Sequence, residues 1–253
     1  AEAHPNARKP FGEHTTHQMG LPSRPEVKSM APIHPVTSLN ENNLVVISGQ
    51  TNAQAHAMYP FEAEETLGMP NLKLDLGANV YFTDENGGFI TNETGGIFAV
   101  NIPLEGKWST VFTNGVTPSV SLDFQEGYNI LDVSDNVKEA SAYRSVNLIH
   151  DHMREWLTNF TALDISLTTN IDVEGECNAF FDGGSINFFD TGGGCNPTSL
   201  IADVVYHEYG HAINSYFYNS LGAGFNNGAM GEGYADFWAM SLGDIAEIGK
   251  GFY

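Results

Sequence analysis

The stretch His207-Glu208-Tyr209-Gly210-His211 decides how the chain is read. Two histidines four residues apart project from one face of an α-helix, one turn from each other. Imidazoles so placed can bind one zinc ion, and the glutamate between them then stands beside it as a general base. On the N-terminal side, residues 199–206 read as the opening turns of that helix. Asn196-Pro197 offers an N-cap with proline at the first helical position. On the C-terminal side, Gly231-Glu232-Gly233-Tyr234-Ala235-Asp236 runs into apolar Phe237, Trp238, Ala239 and Met240. That pattern predicts a second helix packed on the first. Glu232 is the candidate third ligand, and Asp236, one turn later, can reach a ligand histidine as an acceptor. The plain alternative is an ordinary amphipathic helix with two surface histidines.

Just ahead of this helix the pattern is extended. Leu163, Ile165 and Leu167 alternate with polar residues, as do Thr169, Ile171 and Val173. Then Cys177-Asn178-Ala179-Phe180-Phe181-Asp182, a Gly183-Gly184 turn and Ser185-Ile186-Asn187-Phe188-Phe189-Asp190 predict a hairpin. If its first strand is an exposed edge, Asn178 and Ala179 can pair with an extended peptide, main chain to main chain. An ordinary core hairpin would explain the phenylalanines equally well. Cys177 and Cys195 are the only cysteines and bracket this hairpin. They pair as a disulfide in an oxidising compartment, or stay as two buried thiols in a reducing one.

Further upstream, residues 138–160 read as one helix, with Tyr143, Val146, Ile149, Met153, Trp156, Leu157 and Phe160 on an apolar stripe. His150 and His152 are two apart and point to different faces, which favours packing and surface roles over a shared metal. The first half is β-rich. Leu44-Val45-Val46-Ile47 is a short strand, and Leu72, Leu74 and Leu76 alternate with polar residues. Val80 and Phe82 share a face, and Asp84-Glu85-Asn86-Gly87-Gly88 and Asn92-Glu93-Thr94-Gly95-Gly96 are turns. Several short strands at near-regular spacing suggest a small sandwich or a large sheet, and residues 77–112 resemble the prealbumin-like modules found beside secreted peptidases.

Composition narrows the class. The 253 residues carry 31 acidic and 10 basic side chains, a formal charge of −21. Nucleic acid and anionic membranes both need a basic footprint, so neither is an expected partner. No apolar run reaches the roughly 18 residues of a membrane-spanning helix. Residues 1–36 hold six of the eleven prolines and four of the nine histidines, without helical or strand period. They read as an extended arm, and His4, His14, His17 and His34 are too scattered for a metal site. The expected organisation is an arm over residues 1–42, a β-rich module over 43–137 and catalytic machinery over 138–253. The fold class is α+β.

The three stretches Asn178-Ala179-Phe180-Phe181, His207 to His211 and Gly231 to Asp236 together resemble the gluzincin metallopeptidases, nearest the fungalysin group and more distantly thermolysin. The resemblance covers residues 140–240. It implies zinc held by His207, His211 and Glu232, Glu208 as general base, and Asp236 orienting a ligand histidine. Asn178 and Ala179 would hold the substrate backbone. Asp203 falls where thermolysin has a structural calcium ligand, so calcium is a second implied cofactor. It implies a secreted endopeptidase acting on protein or peptide substrates.

Two departures stand out. Thermolysin's transition-state tyrosine would fall at Gly222, with Tyr216 and Tyr218 near but out of register. No residue here matches the family's downstream histidine, which belongs to a helical subdomain. The expectation is therefore that this subdomain is missing from the chain and supplied by a second polypeptide lying against the Glu232 helix. Apolar Ile245, Ile248, Phe252 and Tyr253 would then lack packing partners. Two rival readings remain. A zinc aminopeptidase would need a Gly-Ala-Met-Glu-Asn-like stretch that does not occur, and a secreted β-module adhesin or inhibitor with a degenerate zinc site would have no use for Glu208.

Overall fold

A computed structural model describes residues 38–42, 44–224 and 227–253. The expected N-terminal arm lies almost wholly outside these residues, its four histidines included. In chain order the strands are β1 (Val46–Ala55), β2 (Glu65–Gly68), β3 (Lys73–Asp75), β4 (Val80–Phe82), β5 (Gly88–Thr94), β6 (Ile97–Pro103), β7 (Ser109–Thr113), β8 (Ser119–Phe124) and β9 (Gly127–Asp132). Then come α1 (Val137–Trp156), β10 (Leu167–Val173), β11 (Ala179–Phe181), β12 (Ser185–Phe189), α2 (Ala202–Ser220) and α3 (Gly228–Gly243). The fold is mixed α+β with a β-rich first half.

The first strand runs well beyond the apolar letters that announce it. β1 continues through Ser48, Gln50 and Thr51, all buried, because it is the middle of a sheet. It pairs antiparallel with β2 and β5 and parallel with β9. Two of the three side chains are satisfied, Thr51 Oγ1 donating to Gly87 O at 3.0 Å and Gln50 Nε2 to Asn86 O, while Ser48 Oγ is buried without a partner. A Cβ on Gly49 would lie 2.2 Å from Asn129 O, so only glycine lets β9 approach here.

A second sheet has the order β11-β12-β10-β7, with β10 parallel to both neighbours. Its last strand comes from the first half of the chain. Two-stranded ribbons β3-β4 and β6-β8 complete the β structure. Neither the small sandwich nor the single large sheet expected there forms over residues 77–112, since β4, β5, β6 and β7 go to four different sheets. Glycine turns say where the chain reverses, but pairing is decided by which strands share a buried face. Leu72, Leu74 and Leu76 are buried as their alternation predicts, whereas Val80 and Phe82 share the exposed face of β4.

Helix α1 starts at Asn136, whose side chain accepts from Lys138 N at 3.0 Å. Tyr143, Val146, Ile149 and Met153 are fully buried. The helix stops at Trp156, one turn short of the expected end. Arg154 there bonds the carbonyls of Leu157 and Phe160, satisfying groups that another helical turn would have used. Trp156 consequently leaves the apolar stripe and is 61% exposed.

Helix α2 also begins later than its sequence suggests. Pro197 precedes a short 3-10 turn over Thr198–Leu200, and Ile201 in an extended conformation caps α2 without a side-chain bond. The tail after α3 finds packing partners, contrary to expectation. Ile248 and Phe252 pack on the core, and Asn196 donates to Phe252 O at 2.8 Å and to Gly251 O at 2.9 Å. Tyr253 stays exposed. The uncovered apolar surface lies instead on α3, at Met230, Tyr234, Phe237 and Met240.

Candidate metal centre

Helices α2 and α3 cross at their closest over Gly210. A Cβ there would sit 2.8 Å from the Cα and 3.1 Å from the carbonyl oxygen of Ala235. The absent side chain lets the two backbones touch, and that contact carries Glu232 and Asp236 to the histidine face of α2. Ala235 is fully buried in the same seam.

The ligand atoms converge there. His207 Nε2 lies 3.1 Å from His211 Nε2, and Glu232 Oε2 lies 3.2 Å from the first and 3.6 Å from the second. A tetrahedral ion with ligands at about 2.0–2.1 Å separates them by about 3.3–3.4 Å, so the three edges fit such an ion. Among the described residues, this is the one group of three or more His, Cys, Asp or Glu side chains so gathered. Asp236 Oδ1 is 2.8 Å from His207 Nδ1. That bond places the His207 proton on Nδ1 and leaves the Nε2 lone pair facing the other ligands. Burial and the neighbouring His207 lower the His211 pKa, which favours the neutral imidazole a metal needs.

Glu208 lies on the inner side of α2 and is only 6% exposed. Burial, reinforced by the charge of Glu232, pushes its carboxyl up to about 7; His207 and the Phe181 main-chain N–H pull the other way. A carboxyl held near neutrality can both take and return a proton. A dication beside it would favour the ionised form and bring the value down.

The Phe181 contact was not legible in the motifs. It brings β11, the edge strand of its sheet, against the Glu208 side of α2. Asp182 N–H donates to Ser185 O and Phe189 N–H to Asn178 O. With Phe180 opposite Asn187, the ladder bonds fall at 178, 180 and 182, leaving the main chain of Ala179 and Phe181 turned to the free edge. Asn178 is exposed beside it, its carbonyl accepting from Thr198 Oγ1 at 3.0 Å. The Cys177–Cys195 disulfide ties the start of this strand to the segment leading into α2.

Comparison with family models and with curated protein sequences gives no match. The centre therefore rests on its own geometry. The structure brings together His207, His211, Glu232, Asp236 and Glu208, with Ala179 on the strand alongside.

Asp203 stands apart. Its carboxylate is buried and accepts from Tyr59 Oη and Gly249 N, each at 3.1 Å, and burial raises its pKa. Calcium takes six to eight oxygen ligands, and no other acidic pair is gathered with Asp203 among the described residues. Both donors meet Oδ2, which gives Asp203 a part in docking the C-terminal tail, while its Oδ1 is buried without a hydrogen-bond partner. Gly222 turns the chain out of α2 at φ +69°. His150 is buried and stacked on Trp108 with ring centroids 3.7 Å apart, while His152 bonds Ser241 Oγ at 3.0 Å; they serve packing on separate faces.

Proposed function

We propose that this chain is the metal-binding part of a zinc-dependent endopeptidase of the gluzincin type, akin to the fungalysin group. The observation that carries the reading is the convergence of His207, His211 and Glu232 on one point, with the buried Glu208 carboxyl beside it. Two imidazoles and one carboxylate are a donor set suited to zinc, and three protein ligands are the number that keeps a position open for chemistry. When bound, zinc supplies Lewis acidity that polarises a carbonyl and acidifies water.

The rest falls to the chain's own residues. Glu208 accepts a proton from the attacking water and returns it to the leaving amine. Asp236 holds the His207 ring in the ligand tautomer. The free edge of β11 takes up an extended peptide, with Ala179 and Asn178 fixing its main chain next to Glu208. A strand-edge site recognises backbone more than side chains, which favours internal bonds of protein substrates. Secretion belongs to the same proposal. The disulfide is compatible with an oxidising compartment, and no helix among the described residues is long and apolar enough to cross a membrane. So does a second polypeptide against α3. Its support is an open apolar groove of about 630 Å³, lined among others by Leu157, Ile213, Phe217, Met230, Tyr234 and Phe237.

The deciding experiment pairs metal analysis with Glu208→Gln. The protein should hold one zinc per chain and cleave an unfolded protein substrate, with activity lost to a chelator and restored by zinc. Glu208→Gln should keep the metal and the fold while losing turnover by orders of magnitude. Zinc-loaded protein that leaves protein and peptide substrates intact would refute the enzymatic reading and favour a binding module.

A further inference from the structure

Away from the metal centre, the surface stretch Trp156-Leu157-Thr158-Asn159-Phe160-Thr161 has a chemistry of its own. Asn159-Phe160-Thr161 fits the acceptor pattern for an N-linked glycan, asparagine followed by any residue but proline and then threonine. The sequence holds one other such triplet, Asn92-Glu93-Thr94. Their placement separates the two.

Asn159 lies in the tight turn that follows α1, where Thr158, Asn159 and Thr161 are all exposed. Phe160 alone turns inward; it is 7% exposed and meets Phe217 edge to face at 5.5 Å. Phe160 N–H donates to Leu157 O at 2.9 Å, and Arg154 bonds the carbonyls of both. The turn is thus pinned from below by its middle residue, and its asparagine and threonine side chains face outward. No hydrogen bond engages the Asn159 side chain among the described residues. Asn92, by contrast, sits inside β5, its N–H bonded to Tyr81 Oη and its Thr94 in register with Val46. Asn92 and Thr94 are exposed too, but they lie within a strand whose Thr94 pairs with Val46, not in a turn.

Trp156 is the second, independent observation. An indole three residues before Asn159 stands mostly in water, although Met153, one turn earlier on the same helix, is completely buried. His152 meets the ring only edge-on, with centroids 6.3 Å apart. The face of an exposed indole is an apolar platform with a polar rim, and the C–H face of a pyranose is its chemical complement.

We propose that Asn159 carries an N-linked glycan whose first N-acetylglucosamine rests on the Trp156 indole. The donor is a lipid-pyrophosphate-linked oligosaccharide. A bond forms between Asn159 Nδ2 and the sugar's C1 while the C1–oxygen bond to the pyrophosphate breaks. The lipid pyrophosphate leaves with the electron pair, and Nδ2 gives up one proton. The inference rests on passage through a glycosylating secretory route and is independent of the metal chemistry.

The test is secretion of the full chain, behind a leader, from a eukaryotic host that performs this transfer. Peptide mapping should find Asn159 glycosylated, with aspartate at that position after enzymatic deglycosylation. Asn159→Gln and Thr161→Ala should each abolish the modification, and Thr161→Ser should retain it. Enzymatic deglycosylation should lower the melting temperature of the wild type but not that of Trp156→Ala. Unmodified Asn159 in chains whose Cys177–Cys195 bond has formed, or a glycan at Asn92 alone, would overturn the site. An equal drop in both proteins would overturn the stacking on Trp156. Zinc content and proteolysis, measured on the same samples, report separately on the proposed function.

Discussion

Substituting Gly210 by alanine tests the helix crossing on which the whole metal centre depends. In isolation the change should strengthen α2, since alanine in a helix interior is worth about 1 kcal/mol over glycine. Against that gain stands the new methyl, 2.8 Å from Ala235 Cα and 3.1 Å from its carbonyl oxygen. Both are backbone atoms that cannot rotate away. Ordinary contact begins at 3.4 Å, so α3 must retreat by at least 0.6 Å. Overpacking of this kind costs about 1–3 kcal/mol, leaving the apo protein about 0–2 kcal/mol less stable. The larger effect is on the ligands. Glu232 and Asp236 ride on α3, and a metal site tolerates ligand displacements of about 0.2 Å. Metal affinity should therefore fall about 10–100-fold, the range seen when groups that orient ligands are lost. Urea unfolding of the metal-free proteins measures the first quantity, and competition with a chromogenic chelator the second. Wild-type metal affinity in a folded Gly210→Ala protein would refute the claim that this crossing sets the centre.

Other perturbations probe separate links. Asp236→Asn should cost about 10–100-fold in metal affinity with little change in apo stability, because it removes the acceptor that holds the His207 proton on Nδ1; chelator competition and a urea midpoint read the two. Breaking the disulfide with Cys177→Ala and Cys195→Ala together should cost about 3 kcal/mol, the chain-entropy value for a loop of 18 residues. Unchanged urea stability would count against it. The metal-free fold should also weaken as pH rises. Folding raises the Glu208 carboxyl from 4.5 to about 7, so its contribution is fully present below about pH 4.5 and lost as pH passes through 7. If Glu208 titrates alone, the change is about 3 kcal/mol. Glu208→Gln should flatten that part of the profile, and an identical pH dependence in both proteins would exclude Glu208 as its source.

The legible parts of this chain are those where residue spacing matches the period of one element. An i, i+4 histidine pair can serve one ion only from a helix, so His207 and His211 declared α2, and Asp236 four residues after Glu232 declared α3 in the same way. The hairpin over residues 177–190 was legible because two glycines at 183 and 184 sit between segments of matching length, and its strands β11 and β12 form there. What stayed hidden was set by partners distant in sequence. β1 runs through Gln50 and Thr51 because Asn86 and Gly87 satisfy their side chains, and through Ser48 because its main chain pairs with β5 and β9. Nothing in those letters suggests the middle of a sheet. The tail was read as lacking packing because its partners, Asn196 and Asp203, precede it by some fifty residues, with separations of 55 and 46 for the bonds to Gly251 and Gly249.

Asp203 and Gly210 show why a motif is an incomplete account of its own site. Asp203 shares the helix face pattern of an ion ligand, yet the spacing does not show the pair of donors from Tyr59 and Gly249 that its Oδ2 also meets. Gly210 occupies one of the two unspecified places in H-E-x-x-H. Any helix former there would preserve the spacing of the ligands on α2, but only a residue without a side chain lets α3 come close enough to deliver the third. The spacing of His207 and His211 therefore specifies two-thirds of the centre locally. The third candidate ligand depends on a tertiary contact between Gly210 and Ala235, which the absence of a side chain makes possible.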